Sequence, residues 1–387
     1  MNKVLLTTVF SGYNYGSSLQ ALAGKTILIE LGYDCQLVVM KSLVKGRDIR
    51  LKKLLAILTR SLLLRDKASS KSLSTYQSSY NKTMIGDSAL RFTRFTDDYL
   101  KPNYLSWNDM KQAAKDSVAS FAGSDQIWNS STMYVDPMYY LRFAPVEKRV
   151  ALAPSFGRDF VADYNKEKMS KWISEFTHLS VREDSGVKLI KEITGRDSVQ
   201  LVDPTLMLDG DIWKRTFGIE DKERNYILAY FLDNPSESAR KAIAYLKTAL
   251  NCEVIGIPYL FDDMSYCDNV VATGPIEFLG LINNAKCVLT DSFHGTAFSI
   301  NLHTPFFVFG RAYSGSHSQN SRVESILKKM DMQDRFEPEL ECELLASINF
   351  EYSESVLAEE RQKARDYVTN ALNQIKHNEC IDHHAVL

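Results

Sequence analysis

The sequence is poor in features that would assign it to a specialised class. Its six cysteines, Cys35, Cys252, Cys267, Cys287, Cys342 and Cys380, lie far apart and never as C-x-x-C. That spacing argues against a disulfide framework or a zinc site and suits a reducing, cytoplasmic setting. No apolar run reaches ~18 residues, so no membrane-spanning helix is expected. Met1 to Thr8 is apolar only briefly before a Gly/Asn/Tyr turn, and reads as a first β-strand and not as a signal peptide. The formal net charge of −2 gives no overall attraction to nucleic acid, so any basic patch is local. Several chemical motifs are missing too. There is no H-E-x-x-H, no EF-hand loop and no G-x-S-x-G elbow. The turn Gly12-Tyr13-Asn14-Tyr15-Gly16 lacks G-x-G-x-x-G spacing and has no Lys-Ser/Thr ending, so it is neither a dinucleotide fingerprint nor a P-loop.

What is there is an ordinary globular composition, 45% hydrophobic and 24% charged, in 387 residues. That length points to two domains. An apolar run from Val4 to Phe10 is followed by the Gly12–Gly16 turn, a helix through Leu19, Leu22, Ile27 and Leu31 that Ser17 or Ser18 can cap, and a second strand from Asp34 to Met40. Strand–turn–helix–strand is a βαβ unit, hence a parallel sheet. Short apolar runs near residues 117–122, 150–153, 179–181 and 199–202 continue the pattern until Asp203-Pro204-Thr205 breaks it. A second βα series begins at Tyr226. The expected organisation is an N-terminal Rossmann-like domain over 1–203, a second over 204–350, and a charged helix in 351–387 that packs back on the first. No internal repeat is evident.

Ligands of open α/β sheets bind where strands end and helices begin. Three polar, Gly-bearing turns meet that rule. Asp291-Ser292-Phe293-His294-Gly295 follows a strand and opens a helix, whose first backbone N–H groups suit an anion. His294 stands among them and can change charge near neutral pH. Gly123-Ser124-Asp125-Gln126-Ile127-Trp128-Asn129 offers a carboxylate, two amides and an indole, as a sugar site would. Gly12 to Ser18 permits close approach of backbone to ligand through its glycines and Asn14. Arginines suited to phosphate or carboxylate are Arg182, at a strand end, and Arg311 and Arg322 after the histidine turn. The bland alternatives are helix caps for Asp291 and Ser292, a core tryptophan at Trp128, and a salt bridge for Arg182 with Glu183 or Asp184. Finally, Lys41 to Lys71 holds ten basic residues against Asp48 and Asp66, with Leu51, Leu54, Leu55, Leu58 and Leu62 on one helical face. A basic amphipathic helix over 49–65 suits an anionic membrane surface.

Five segments in order, Asn14-Tyr15-Gly16-Ser17-Ser18-Leu19-Gln20-Ala21, Gly123 to Asn129, Ser180-Val181-Arg182-Glu183, Val202-Asp203-Pro204-Thr205 and Thr290 to Gly295, resemble the polysaccharide pyruvyl transferase family. The resemblance implies a GT-B-like α/β fold, two Rossmann-like domains with mainly parallel sheets facing across a cleft. It implies transfer of a pyruvyl group from phosphoenolpyruvate to two hydroxyls of a hexose in a capsular or exopolysaccharide repeat unit, carried on a lipid, with a cyclic ketal formed and phosphate released. No metal or cofactor is implied. By this resemblance His294 is the essential histidine; Asp125, on the turn read as a sugar site, is the candidate base for the attacking hydroxyl. Arg182 and Arg322 grip the donor with Gly295. Asn14, Tyr15, Gln126, Trp128 and Asn129 face the acceptor. Some members carry arginine two residues before the histidine, where this chain has Ser292, so either Arg311 or Arg322 supplies the charge or the donor pocket differs. Two other expectations are open on the residues alone: a nucleotide-sugar glycosyltransferase of the same fold, and a glycan-binding protein without turnover.

Overall fold

The computed structural model describes residues 2–10, 12–41, 85–130, 134–258, 263–311, 321–338 and 348–385. The basic segment 49–65 lies outside them. The chain forms two compact units, Met1–Ser72 with Thr96–Met207 and Glu360–Leu387, and Leu73–Phe95 with Leu208–Glu359.

The first unit is built on five parallel strands, β1 (Lys3–Thr7), β2 (Asp34–Met40), β3 (Asn103–Leu105), β4 (Ala119–Ala122) and β5 (Arg149–Ala151), in the order β3-β2-β1-β4-β5. Val4, Leu5 and Leu6 are all fully buried, as expected of a parallel sheet covered on both faces. A short parallel pair, β6 (Ser180–Val181) and β7 (Val199–Gln200), continues the sheet through a bridge between Val150 and His178. After β1 comes helix α1 (Tyr15–Glu30), which buries Leu19, Leu22, Ala23 and Ile27. Its cap is Asn14, whose side-chain oxygen accepts the Ser17 backbone N–H at 3.0 Å, and not Ser17 or Ser18. An asparagine three residues before the N–H it receives is among the best N-caps, and both serines are thereby drawn into the helix.

The second unit repeats this order. Strands β8 (Tyr226–Tyr230), β9 (Glu253–Gly256), β10 (Asn269–Val270), β11 (Cys287–Thr290) and β12 (Phe306–Val308) run parallel as β10-β9-β8-β11-β12. So the chain does contain a repeat, carried by topology and invisible in residue identity. Two Rossmann-like sheets on one chain give the α/β, GT-B-like class that the sequence implies.

The division differs from a cut at residue 203. Helix α2 (Ser88–Phe95) belongs to the second unit because it packs there against α3 (Pro275–Asn283). The Ser88 hydroxyl accepts the Thr273 backbone N–H at 3.0 Å, and Arg91 pairs with Glu277 at 2.9 Å. Helix α4 (Phe293–Asn301) follows β11, and α5 (Ser321–Lys329) packs on it. In the final helix, α6 (Phe350–Ala385), residues from 360 onward lie on the first unit. There Tyr367 donates its hydroxyl to the Ala151 carbonyl at 2.8 Å, Arg365 pairs with Glu30 at 2.6 Å, and Arg361 donates to the Leu206 carbonyl at 3.1 Å. Among the described residues no helix is long and apolar enough to cross a membrane.

Candidate active site

Each sheet changes direction between its first and fourth strands, β1 and β4 in one unit and β8 and β11 in the other. Such switch points open a crevice at the strands' carboxyl ends. All three polar turns singled out in the sequence stand there.

In the second unit, Thr290 ends β11 and its hydroxyl donates to the Tyr230 carbonyl across the switch at 2.6 Å. Ser292 caps α4, its hydroxyl accepting the Gly295 N–H at 3.3 Å. A β-carbon on Gly295 would lie 2.6 Å from the Thr290 hydroxyl oxygen, so only glycine lets the helix start this close to the strand. His294 is buried at 8% exposure, edge-on to Phe293 with ring centroids 5.2 Å apart. Asp291 does not cap the helix. Its carboxylate reaches back over the switch point and accepts the Leu232 and Asp233 N–H groups at 2.6 and 3.0 Å. It also pairs with Nε of Arg311 at 3.3 Å. Burial pushes Asp291 up to about 6, against the opposing pull of Arg311 and the two N–H groups. Arg322 is buried on α5, in the same unit.

The first unit carries a parallel device. Asp125, in the left-handed region at φ 64°, follows β4 and accepts the Ser17 hydroxyl of α1 at 2.5 Å. It also accepts the Gln126 N–H at 2.8 Å. Gly123 is again forced by packing, since a β-carbon there would sit 2.8 Å from that of Thr8. Gln126 and Asn129 are half-buried and joined, Asn129 donating to the Gln126 side-chain oxygen at 2.9 Å. Asn14 is half-buried and Tyr15 fully buried.

Two expectations need correction. Trp128 has no exposed face for a sugar. It stacks on Tyr140 at 5.7 Å and meets Phe156 and Phe176 edge-on at 5.8 and 5.4 Å, and Nε1 donates to the Tyr139 carbonyl at 3.2 Å. An indole on a Gly-rich turn signals a ligand only if it points outward, and this one points into the aromatic core. Arg182 is also buried. Its Nη1 donates to Asp203 at 2.5 Å and its Nε to Glu183 at 3.2 Å. Burial acts to lower its pKa, but the charges of Glu183, Asp203 and Asp125 outweigh that and raise it. One guanidinium among three carboxylates presents an excess of negative charge to an anionic donor. In this geometry Arg182 holds Glu183 and Asp203 in place. Ser124, which donates to Asp203 at 3.2 Å, and Ser155, which donates to Glu183, complete a network over the carboxyl ends of β4 to β7. The sequence marked Asp203 as a chain break and within a family segment, without a role, and did not mark Ser155 at all; the acids just after β4, β6 and β7 were the available signal.

The model of the family described as polysaccharide pyruvyl transferase matches residues 14–313. The chain belongs to the polysaccharide pyruvyl transferase family. The matched stretch takes in every candidate residue above except Arg322. No curated protein sequence matches the chain significantly. Solved structures similar to it include UDP-N-acetylglucosamine 2-epimerase from Rickettsia bellii, at 11% identity and TM-score 0.47 over 97% of this chain and 98% of that one. The Neisseria meningitidis UDP-GlcNAc 2-epimerase bound to UDP-GlcNAc is similar at 12% identity and TM-score 0.43, over 96% and 100%.

Proposed function

We propose that this pyruvyl transferase uses phosphoenolpyruvate as donor and a hexose diol of a polysaccharide repeat unit as acceptor. The observation carrying the reading is His294 on a helix-opening turn at the switch point of the second unit, in a chain of this family. Protonated His294 gives its proton to C3 of the donor's enol, and C2 becomes electrophilic. One sugar hydroxyl attacks C2 and passes its proton to a base, for which Asp125 is the candidate. The C2–O bond to phosphate then breaks, the second hydroxyl bonds to C2, and its proton leaves with phosphate. The sum is donor plus diol giving ketal plus inorganic phosphate. Positioned acid catalysis contributes ~10²–10⁴-fold. Arg311, Arg322 and the N-terminus of α4 with Ser292 and Gly295 are the groups suited to the donor's charges. Asn14, Gln126 and Asn129 supply neutral hydrogen bonds of the kind sugars need. We place the acceptor on a lipid carrier and the enzyme at the inner membrane surface, held by basic residues of segment 49–65, each worth ~1 kcal/mol near anionic lipid.

The test is incubation with phosphoenolpyruvate and a panel of lipid-linked or aryl hexosides, read by mass spectrometry and phosphate release. A product heavier by one ketal, lost in His294→Ala, is expected. Near-normal phosphate release by His294→Ala would remove the histidine from the mechanism. The triple change Lys52→Glu, Lys53→Glu, Arg60→Glu is expected to abolish sedimentation with anionic vesicles, and unchanged sedimentation would reject the membrane placement.

A further inference from the structure

We infer that Asp291 is a positioning residue that aims Arg311 at the anionic donor. The inference rests on the donor reading above and adds a residue to it.

The geometry is specific to this side chain. Asp291 leaves β11 beside β8, where Thr290 and Tyr230 are register partners. Its two carboxylate oxygens divide their work. One accepts the Leu232 N–H at 2.6 Å. The other accepts the Asp233 N–H at 3.0 Å and faces Nε of Arg311 at 3.3 Å. The Asp291 backbone carbonyl meets the same Nε at 3.2 Å. Backbone and side chain of one residue therefore grip Nε together. A guanidinium is planar, so fixing Nε fixes the direction in which its two Nη groups point. Orientation settled before binding is ordering that the ligand need not supply. The carboxylate at the same time locks the loop after β8 to the turn that carries His294.

The electrostatic setting separates this role from plain scaffolding. The Asp291 side chain is only 4% exposed, and a buried ionised carboxylate is a poor way to join two loops. Ser292 already caps the helix, so capping does not call for the acid. An anionic ligand bearing both phosphate and carboxylate is what a pre-aimed guanidinium fits.

The experiment is calorimetric titration of phosphoenolpyruvate, which needs no acceptor, into wild type, Asp291→Asn, Arg311→Gln and the double variant. Asp291→Asn is expected to weaken binding about 10- to 100-fold, the range for losing a charge-assisted hydrogen bond. The double variant should bind no more weakly than Arg311→Gln alone, because the aspartate acts through the arginine. Wild-type affinity in Asp291→Asn, or effects that multiply in the double variant, would overturn the inference. Thermal melting checks that each variant folds. Should Asp291→Asn not fold, Arg311→Lys decides: it keeps the charge and lacks Nε, so affinity should fall by the same order, and wild-type affinity would overturn the inference. If wild type itself does not bind phosphoenolpyruvate, the donor reading fails and this inference with it. Binding by wild type with no change in the variants removes the aspartate's role alone.

Discussion

Replacing Asp203 with alanine should unfold the first unit preferentially, and the magnitude follows from its contacts. One Asp203 oxygen receives Arg182 at 2.5 Å and Ser124 at 3.2 Å, and the other receives the Thr205 N–H and hydroxyl at 3.0 and 2.8 Å. Asp203 is 1% exposed and Arg182 4%. Removing one partner of a buried pair costs ~3–5 kcal/mol when the other charge is left alone; Arg182 keeps Glu183, so the loss lies at the lower end, with Ser124 and Thr205 also stripped of their acceptor. That is a large share of the ~5–15 kcal/mol that holds a domain folded. An arginine keeps its proton at any accessible pH, so the guanidinium cannot escape by losing it. Hydrogen exchange followed by mass spectrometry reads the two units separately, which a single melting curve does not. Protection should fall in the strands β1, β4 and β5, with β8 and β11 unchanged. Lys166→Ala, which breaks the exposed pair with Glu192, serves as a control with no measurable effect expected. A loss below ~1 kcal/mol in Asp203→Ala would refute the claim that this network anchors the strand ends.

Three further outcomes are expected. Gly295→Ala should cost ~1–3 kcal/mol by overpacking against Thr290, measured by denaturant unfolding of the second unit, and a neutral result would show the turn to be compliant. Trp128→Phe should leave the acceptor KM unchanged and reduce only stability; a raised acceptor KM in a folded variant would return the indole to the sugar site. The third concerns pH. Asp291 is raised from 3.8 to about 6, so its contribution to folding is complete below pH ~4 and is lost as pH rises through about 6, a change of about 3 kcal/mol. Arg311, Asp233 and Tyr266 share its surroundings, so the comparison is wild type against Asp291→Asn across that window. A difference between the two that stays flat from pH 4 to 7 would contradict the assignment.

The sequence was most legible where local and tertiary demands agree. The strand β1 with its Gly turn and α1, and β11 with its turn and α4, combine short apolar runs with turn residues, and each stands at a switch point. The strands β3 and β10 were missed because they are short, largely exposed edges without an apolar run. Side-chain direction was harder to read. Trp128 and Arg182 looked like site residues because of where they fall in the chain. Their burial is decided by partners far away, Phe176 in one case and Asp203 in the other, which no local pattern encodes. Asp291 reads from the sequence as part of a polar turn, with a helix cap as the bland alternative, and only the proximity of β8 to β11 reveals its reach to Leu232 and Asp233. The membership of α2 in the second unit depends on Arg91 meeting Glu277, a contact across nearly half of the chain.

The path of the backbone has a consequence for engineering. Because α2 belongs to the later unit and the end of α6 to the earlier one, neither unit is a contiguous stretch of gene. A chimera joined only at Met207 would separate Tyr367 from the Ala151 carbonyl of its own parent and Arg91 from its own Glu277. Exchanging specificities between relatives by recombination therefore requires several crossovers that move α2 and α6 with the sheets they cover.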